Sequence, residues 1–571
     1  MIVVDGATAT LLEGAGIELG TVAGTLTLDE SRAPYAVATV TIAKPAAATL
    51  DLLDPRGTVP RISLELTASY PGAFTPDKAR TFDLGLRRRF RDLGDGSVQL
   101  SLSSDESLLD DDRLLDDEPL SMHAYQGSIR ALVNAVLARI GAALQPGPDV
   151  SIRTYNDATN LITNPGMETA GAPGWAAFGC NIDGNDLSWA AYDARSMNLW
   201  GGTLVDSFAD LDGGLGGMRS GLQAGRRYLL RVDANTKVAY TGAADANARR
   251  ASVYYRRGAG PYQSFHTNAA PNVVGSPATL TTVFELPADT TEAWVRLHLG
   301  STTGQIRFDA FRLSEYTGDP TDTEPFNGST AASAGYAYAW EAGAHASRSR
   351  RTALIDRPAD SLLWAPGRSA LDFLAPILQA AGMRLFCTEA REWFLVDGAT
   401  YTAAGVVQLT QPGNLHRATE TTDRDSGEWF DAALVRYRWR RPDGTTAERI
   451  DFHGAPGYSR VETFELDAPY PGPGRAAYKV KRAAGVGRTA DVAALTSLET
   501  RPTQVLRLTL EDSPQLLGVV RAVTFDLGDG TMQLASRGLT DLGPDSILAI
   551  PDEYTIAELP GTINALTPSS L

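Results

Sequence analysis

Asp92-Leu-Gly-Asp-Gly-Ser-Val-Gln-Leu100 recurs near the other end of the chain as Asp526-Leu-Gly-Asp-Gly-Thr-Met-Gln-Leu534. An apolar/Arg run leads into each copy (Leu84 to Phe90; Val519 to Phe525), and alternating residues, SVQLSLS and TMQLASR, follow. Asp-Gly supplies the positive φ that a tight turn between strands demands, so each copy reads as a β-hairpin. On the nonamer alone, two unrelated hairpins could have converged on the same turn residues. The order of the remaining elements favours duplication.

The 571 residues allow roughly three to five domains. Gly 55 and Pro 32, with many Thr and Val and few long helical periods, predict a β-rich protein with numerous turns. Cys180 and Cys387 lie far apart, with no CxxC and no ligand-like His spacing, which argues against a disulfide framework or a zinc site. The stretch MIVVDGATATLLEGAG lacks the basic region and apolar core of a signal peptide, and no run reaches the ~18 apolar residues of a membrane span. The expectation is a soluble protein made in a cytoplasm, without membrane insertion. A net charge of −17 counts against specific nucleic-acid binding. The basic runs Arg87-Arg88-Arg89-Phe90-Arg91 and Arg438-Trp439-Arg440-Arg441 read as solvated strand faces.

Residues 1–104 hold short period-2 strands (GTLTLDE, YAVATVTIAK, RISLELTASY, ARTFDLGLRRRF) and predict a small antiparallel barrel or sandwich. In 105–158 an acidic stretch, part of SSDESLLDDDRLLDDEPLS, reads as an exposed connector, and a helix follows from about Gly127 to Leu144. Texture changes at Asn160: residues 159–317, rich in Gly, Asn, Ala and aromatics and closing on IRFDAFRLSEY, predict an inserted β-sandwich. Residues 318–352 are short of large aliphatics and read as a loop or linker. Residues 353–475 open on a helix with Ser369 as N-cap and Pro376 as a kink or a shift of its start, followed by hairpins. Residues 476–571 continue an Ala-rich helix into strands around the second nonamer and a C-terminal tail. Each half thus carries a β-domain and an amphipathic helix, with the sandwich between them.

No HExxH, GxSxG, GxxxxGK[ST] or CxxC is present. Gly485-Val-Gly-Arg-Thr-Ala490 has the outline of a dinucleotide loop, but it joins helix to strand, the reverse of what a cofactor loop needs. The six histidines are scattered, and Asp110, Asp111 and Asp112 are adjacent without a sign of facing geometry. The expectation is a protein that is not an enzyme. Binding is the better prospect in the insert, where ten Trp, Tyr and Phe residues cluster. Flat rings pack on the C–H faces of sugars. Trp175, Trp200 and Trp294 read as core, whereas Trp189, Tyr192 and Tyr262 lie in loop-like texture and are the candidate glycan contacts.

NLITNPGMET with a following Trp, and IRFDAFRLSE, resemble the opening and closing strands of the carbohydrate-binding module family 4/9 jelly roll. That resemblance implies a structural calcium between Glu168 and Asp309. EPFNGSTAASAGYAYAWEAGAHASRS resembles a segment of minor tail proteins from phages of actinobacteria, through Phe326, Gly328, Tyr336, Tyr338, Trp340, His345, Ser347 and Ser349. The pattern usually carries Asp where this chain has Asn327. RSALDFLAPILQAAGMRLFCTEAREWFLVDG, NLHRATETTDRDSGEWFDAALVRYRW and GVVRAVTFDLGDGTMQLASRGL are similar to tail-hub proteins, whose duplicated β-barrels form a trimeric, pseudo-sixfold ring.

Together these imply a mainly β, multidomain protein: duplicated tail-hub-type β-barrel domains, short α/β segments and an inserted jelly roll. The implied role is a structural virion component of a siphovirus tail tip or baseplate, a homotrimer that meets tail-tube, tape-measure and other tail-tip proteins and a host surface polysaccharide. A stand-alone carbohydrate-binding adhesin and a tail-associated polysaccharide-degrading enzyme are the alternatives.

Overall fold

The computed structural model describes residues 4–69, 77–92, 94, 96–214, 216–424, 428–441, 444–511 and 514–542. Turn residues Leu93 and Asp95 of the first nonamer, and the expected tail beyond 542, lie outside them. The chain is mainly β and splits into two compact units. One comprises Met1–Ile152, Trp364–Arg438 and Glu448–Leu571; the other comprises Arg153–Leu363 and Trp439–Ala447.

A 13-stranded sheet dominates the first unit. Its strands are β1 (Val4–Leu11), β2 (Ile17–Thr21), β3 (Ala23–Asp29), β4 (Ala36–Ile42), β5 (Arg61–Ser69), β6 (Lys78–Arg91), β7 (Val98–Ser103), β8 (Val406–Thr410), β9 (Leu415–Thr422), β10 (Arg488–Leu495), β11 (Val505–Thr509), β12 (Leu516–Leu527) and β13 (Thr531–Asp541). Alternation decides which face is core: in β4, Ala36, Ala38, Val40 and Ile42 are buried while the residues between them are not.

The sheet contains two runs with the same strand order. In space the first runs β1-β5-β6-β7-β4-β3 and the second β8-β11-β12-β13-β10-β9. Ranked by chain position, each reads 1-4-5-6-3-2. The two nonamer hairpins, β6–β7 and β12–β13, even share a bulge. Leu86 pairs with Leu102 and Arg88 with Ser101, skipping Arg87; Val520 pairs with Ser536 and Ala522 with Ala535, skipping Arg521. Arg87 and Arg521 stand at the same distance before Asp92 and Asp526. Convergence on a cheap turn would not reproduce strand order and bulge position together. The runs differ at one edge, since β1 pairs β5 antiparallel whereas β8 pairs β11 parallel.

The expected closed barrels do not form among the described residues. Rather than closing on its own run, β3 pairs antiparallel with β12, so both halves share one open sheet. This junction sets Leu26 opposite Phe525 and Leu28 opposite Val523. All four are at most 1% exposed, and burial of such side chains stabilises by roughly 1.5–3 kcal/mol each.

The acidic stretch is not uniformly an exposed connector. Asp105 is buried and paired with Arg61 and Arg391, and the buried Glu106 accepts from the Cys387 amide at 2.8 Å. The helices follow their signals. Ser128 caps Ile129–Leu137 and Ser369 caps Ala370–Ala380. Pro376 leaves the start of the second helix in place; the Asp372 carbonyl, deprived of its usual helical donor, accepts from the Arg368 guanidinium at 2.6 Å.

In the second unit, two five-stranded antiparallel sheets form a sandwich. One runs Trp175–Phe178, Phe208–Leu211, Thr290–His298, Ala251–Arg257, Tyr262–His266; the other runs Asn181–Asp186, Ser196–Trp200, Gln305–Glu315, Arg227–Val238, Pro277–Glu285. Val253, Val295, Leu297, Phe308 and Leu313 are among the buried residues between them. The stretch 318–352 is more than a linker. Its strands Tyr336–Trp340 and Ser349–Ala353 form a hairpin that pairs with Ala158–Asn160. The motif residues pack on one another there. A Cβ on Gly328 would stand 2.3 Å from the Trp340 nitrogen, Trp340 Nε1 donates to Ser329 Oγ at 3.0 Å, and the His345 ring lies 4.8 Å from the Trp340 ring. Phe326 sits beneath the guanidiniums of Arg312 and Arg351, both of which pair with the half-buried Asp322 and hold its carboxyl below the usual range against desolvation.

Candidate functional site

Two places in the second unit carry unusual chemistry. The first is the outer face of the Trp175–His266 sheet. In Thr290–His298, Ala293, Val295 and Leu297 enter the core, so Trp294, Arg296 and His298 point to the other face by alternation. Neighbouring strands add Phe208 and Asp210, Ser252, Tyr254 and Arg256, and Tyr262, Ser264 and His266 to that face.

Their packing is dense and polar at once. Tyr254 stacks on Trp294 with centroids 5.7 Å apart, and Tyr262 meets Trp294 edge-on at 5.4 Å. Arg296 lies over the Phe208 ring at 3.3 Å and the Tyr254 ring at 4.5 Å. It is held there by two bonds to Asp210, of 2.7 and 2.8 Å. His266 bridges Ser252 Oγ at 2.7 Å and Ser264 Oγ at 2.9 Å, with the His298 ring 6.5 Å away. Burial pushes the His298 imidazole down to about 3, so it is neutral. Buried polar atoms without hydrogen-bond partners include Trp294 Nε1 and both ring nitrogens of His298. Buried groups of this kind are normally satisfied, and these three lie sealed from solvent beneath the outer rings.

Of the three expected glycan contacts, this face holds Tyr262, which is 43% exposed and donates to Glu292 at 3.1 Å. Trp189 and Tyr192 belong elsewhere: Arg307, on the opposite sheet, lies 5.6 Å over the Trp189 ring, and the Tyr192 hydroxyl bonds Thr330. Sequence reading placed Trp294 in the core. It is buried, but beneath Tyr262 and Tyr254 rather than among the aliphatic residues. The signal was available in AWVRLHL, where Trp alternates in phase with Arg and His.

The second place is a carboxylate clamp. Asp309 Oδ2 accepts from the amides of Ala191 and Tyr192 at 2.7 and 2.8 Å, and Glu168 Oε1 from those of Ala194 and Arg195 at 2.7 and 2.9 Å. Glu168 and Asp309 thus hold neighbouring amides of one loop. Asp193 lies between these amides, and its Oδ2 accepts from the Asn327 amide at 2.7 Å. Burial, with the charge of Glu168 adding, raises the Asp193 carboxyl; burial, with Asp193 adding, raises that of Asp309 to about 7. Asp309 Oδ1 is buried without a partner. A cation would relieve both the repulsion and the orphaned oxygen. Among the described residues, no three metal-ligating side chains gather as a site, so backbone carbonyls would have to complete the shell.

Asp111 and Asp112, weighed above as catalytic carboxylates, are paired with Arg87 and Arg139.

No protein-family profile matches the chain, and no curated protein does. Among solved structures, the chain is similar to a 43 kDa tail protein of prophage MuSo2 from Shewanella oneidensis, at 9% identity over 93% of this chain and 98% of that one, with a TM-score of 0.37. A tail protein from Neisseria meningitidis MC58 gives 9%, 94%, 96% and 0.38. The CBM22-1 xylan-binding domain from Paenibacillus barcinonensis is 16% identical and covers 28% of this chain and 96% of that domain, with a TM-score of 0.22.

Proposed function

We propose that this chain is a structural component of a phage tail tip, a hub built from the two β halves that self-associates as a trimer and engages host surface polysaccharide through its sandwich. The observation that carries the reading is the duplication: two runs of one strand order within a single sheet allow three chains to present six equivalent units. In the virion, its neighbours would be tail-tube, tape-measure and other tail-tip proteins. Sugar rings would lie on the Trp294, Tyr254, Tyr262 and Arg296 face, and Ca²⁺ would tie the Glu168–Asp309 clamp as a structural ion. Weak single contacts would gain through several copies on one tip. The role is structural, without turnover.

Light scattering on the purified chain, with and without residues 160–316, tests it. A trimer that survives removal of the insert is the expected result. A monomer in both forms at every concentration would sink the hub reading and favour a stand-alone carbohydrate-binding adhesin.

A further inference from the structure

Strand β9 ends the sheet. It pairs with β10 on one edge and with no strand on the other among the described residues, and His416, Arg417 and Thr419 to Thr422 are exposed. Strand β6 has a matching gap. Lys78 to Gly85 pair with β5 and Gly85 to Arg91 with β7, which leaves Arg88 to Arg91 with no described strand on the edge opposite β7. In the second half that same edge is filled, because β3 lies along Ala522 to Leu527 of β12. By topology β9 is the counterpart of β3, and β6 of β12. The chain therefore makes this junction once and presents both of its sides again on edges that do not meet within one copy.

We propose that β9 of one copy pairs antiparallel with Arg88 to Arg91 of β6 in the next, repeating between chains the β3–β12 junction. This inference rests on the self-assembly reading above and names the surface that would carry it. The register follows from equivalent residues. Val40 faces Leu100 as Val492 faces Leu534, and Gly24 faces Val40 as Ala418 faces Val492. The Asp29 amide donates to Tyr35 as the Asp423 amide donates to Gly487. Where Leu26 meets Phe525 inside the chain, Glu420 would meet Arg91. Where Asp29 meets Ala522, Asp423 would meet Arg88.

The apolar Leu26–Phe525 contact within the chain thus becomes a charged one between chains, where Glu420 also binds Arg488 of its own chain. Opposite charges across a strand pair favour it and set its register. An exposed edge joined to a different edge is a heterologous contact, which closes into a ring when the rotation allows. It also gives acidic partners to Arg88 and Arg91 of the basic run, whose Arg87 is already paired with Asp111 within the chain.

Cross-linking tests it. Thr27 and Thr524, whose hydroxyls lie 2.9 Å apart, correspond to Thr421 and Phe90. In the full chain carrying Cys180→Ser, with Cys387 buried, the combined variant Phe90→Cys/Thr421→Cys should give reducible dimers and higher multimers on mild oxidation. A mixture of the two single variants should give dimers, and neither alone should cross-link. Self-association by light scattering without any 90–421 cross-link would overturn the edge pairing and leave the hub reading standing. A chain that neither associates nor cross-links would overturn both. Cross-linking of Thr421→Cys to itself would show a two-fold contact and also refute the proposal.

Discussion

The side-chain amide of Asn327 donates to Asp193 Oδ2 across 2.7 Å, which joins the hairpin motif to the loop held by Glu168 and Asp309. Asn327 is fully buried, so the identity of this residue sets the charge of the clamp. Asn327→Asp would replace a donor by a second carboxylate facing Asp193. Unpaired buried charge of this kind costs more than the roughly 1–3 kcal/mol of an unsatisfied neutral group. The variant should melt earlier in chelator and recover beyond the parent in millimolar Ca²⁺, read by calorimetry on the full chain. Identical melting with chelator and with Ca²⁺ would show that the clamp takes no cation.

The raised Asp309 carboxyl fixes a pH dependence. Its folded value, about 7, exceeds the ordinary carboxylate value near 3.9, so the folded state keeps a proton that the unfolded chain releases. That stabilisation is complete below about pH 3.9 and is lost as pH rises through about 7. Asp309→Asn keeps an acceptor for the Ala191 and Tyr192 amides and removes the titration. Relative to the parent, it should therefore gain melting temperature between pH 5 and pH 8, by about 2–4 °C for each kcal/mol. A parent-to-variant difference that does not change with pH would contradict the assignment. Ca²⁺ held at the clamp should shrink the gain at pH 8.

Glycan binding, if it uses the outer face, depends on Tyr262 and Arg296 and not on Trp189. Tyr262→Ala removes the exposed ring above Trp294, and Arg296→Ala frees Asp210 and unpacks Phe208 and Tyr254. Each should weaken binding of host cell-wall polysaccharide about tenfold, or about 1.4 kcal/mol, by titration calorimetry. Trp189→Ala should leave it unchanged. The reverse pattern would move the site to the loop beside Arg307.

What sequence could and could not say divides along locality. The hairpin turns, the Ser369 cap and the sandwich strands were legible because each depends on residues a few positions apart. The nonamer left duplication and convergence both open and the order of elements favoured duplication; the shared strand order was not readable, since the segment between β9 and β10 has no counterpart between β3 and β4. Closure was misread because an edge strand does not announce its partner, and β3 found β12 nearly 500 residues away. The clamp pair Glu168 and Asp309 came from resemblance and proved to share a loop, whereas nothing local announced Asn327 or Asp193 as their neighbours. On the outer face, aromatic count alone could not separate core rings from surface rings. Phase within the strand separates them, because Trp294 alternates with Val295 and keeps step with Arg296 and His298.

Gly24 shows how the two halves, alike in strand order, place different demands on equivalent positions. Its φ of +140° and the 2.0 Å that would separate an added Cβ from the Thr39 carbonyl oxygen make it intolerant of any side chain. Ala418 occupies the same place in β9, opposite Val492 as Gly24 is opposite Val40, and its Cβ is accommodated there. Gly24→Ala would have to shift β3 against β4 and so disturb the apolar junction of Leu26 and Leu28 with β12. A loss of at least about 2 kcal/mol is expected from the strained backbone and the displaced core together. Ala418→Gly, on an edge with one neighbour, should cost about 0.5–1 kcal/mol through chain entropy alone. Denaturant titration of the full chain separates the two. Equal, small effects at both positions would mean that the β3–β12 junction contributes little to holding the halves together.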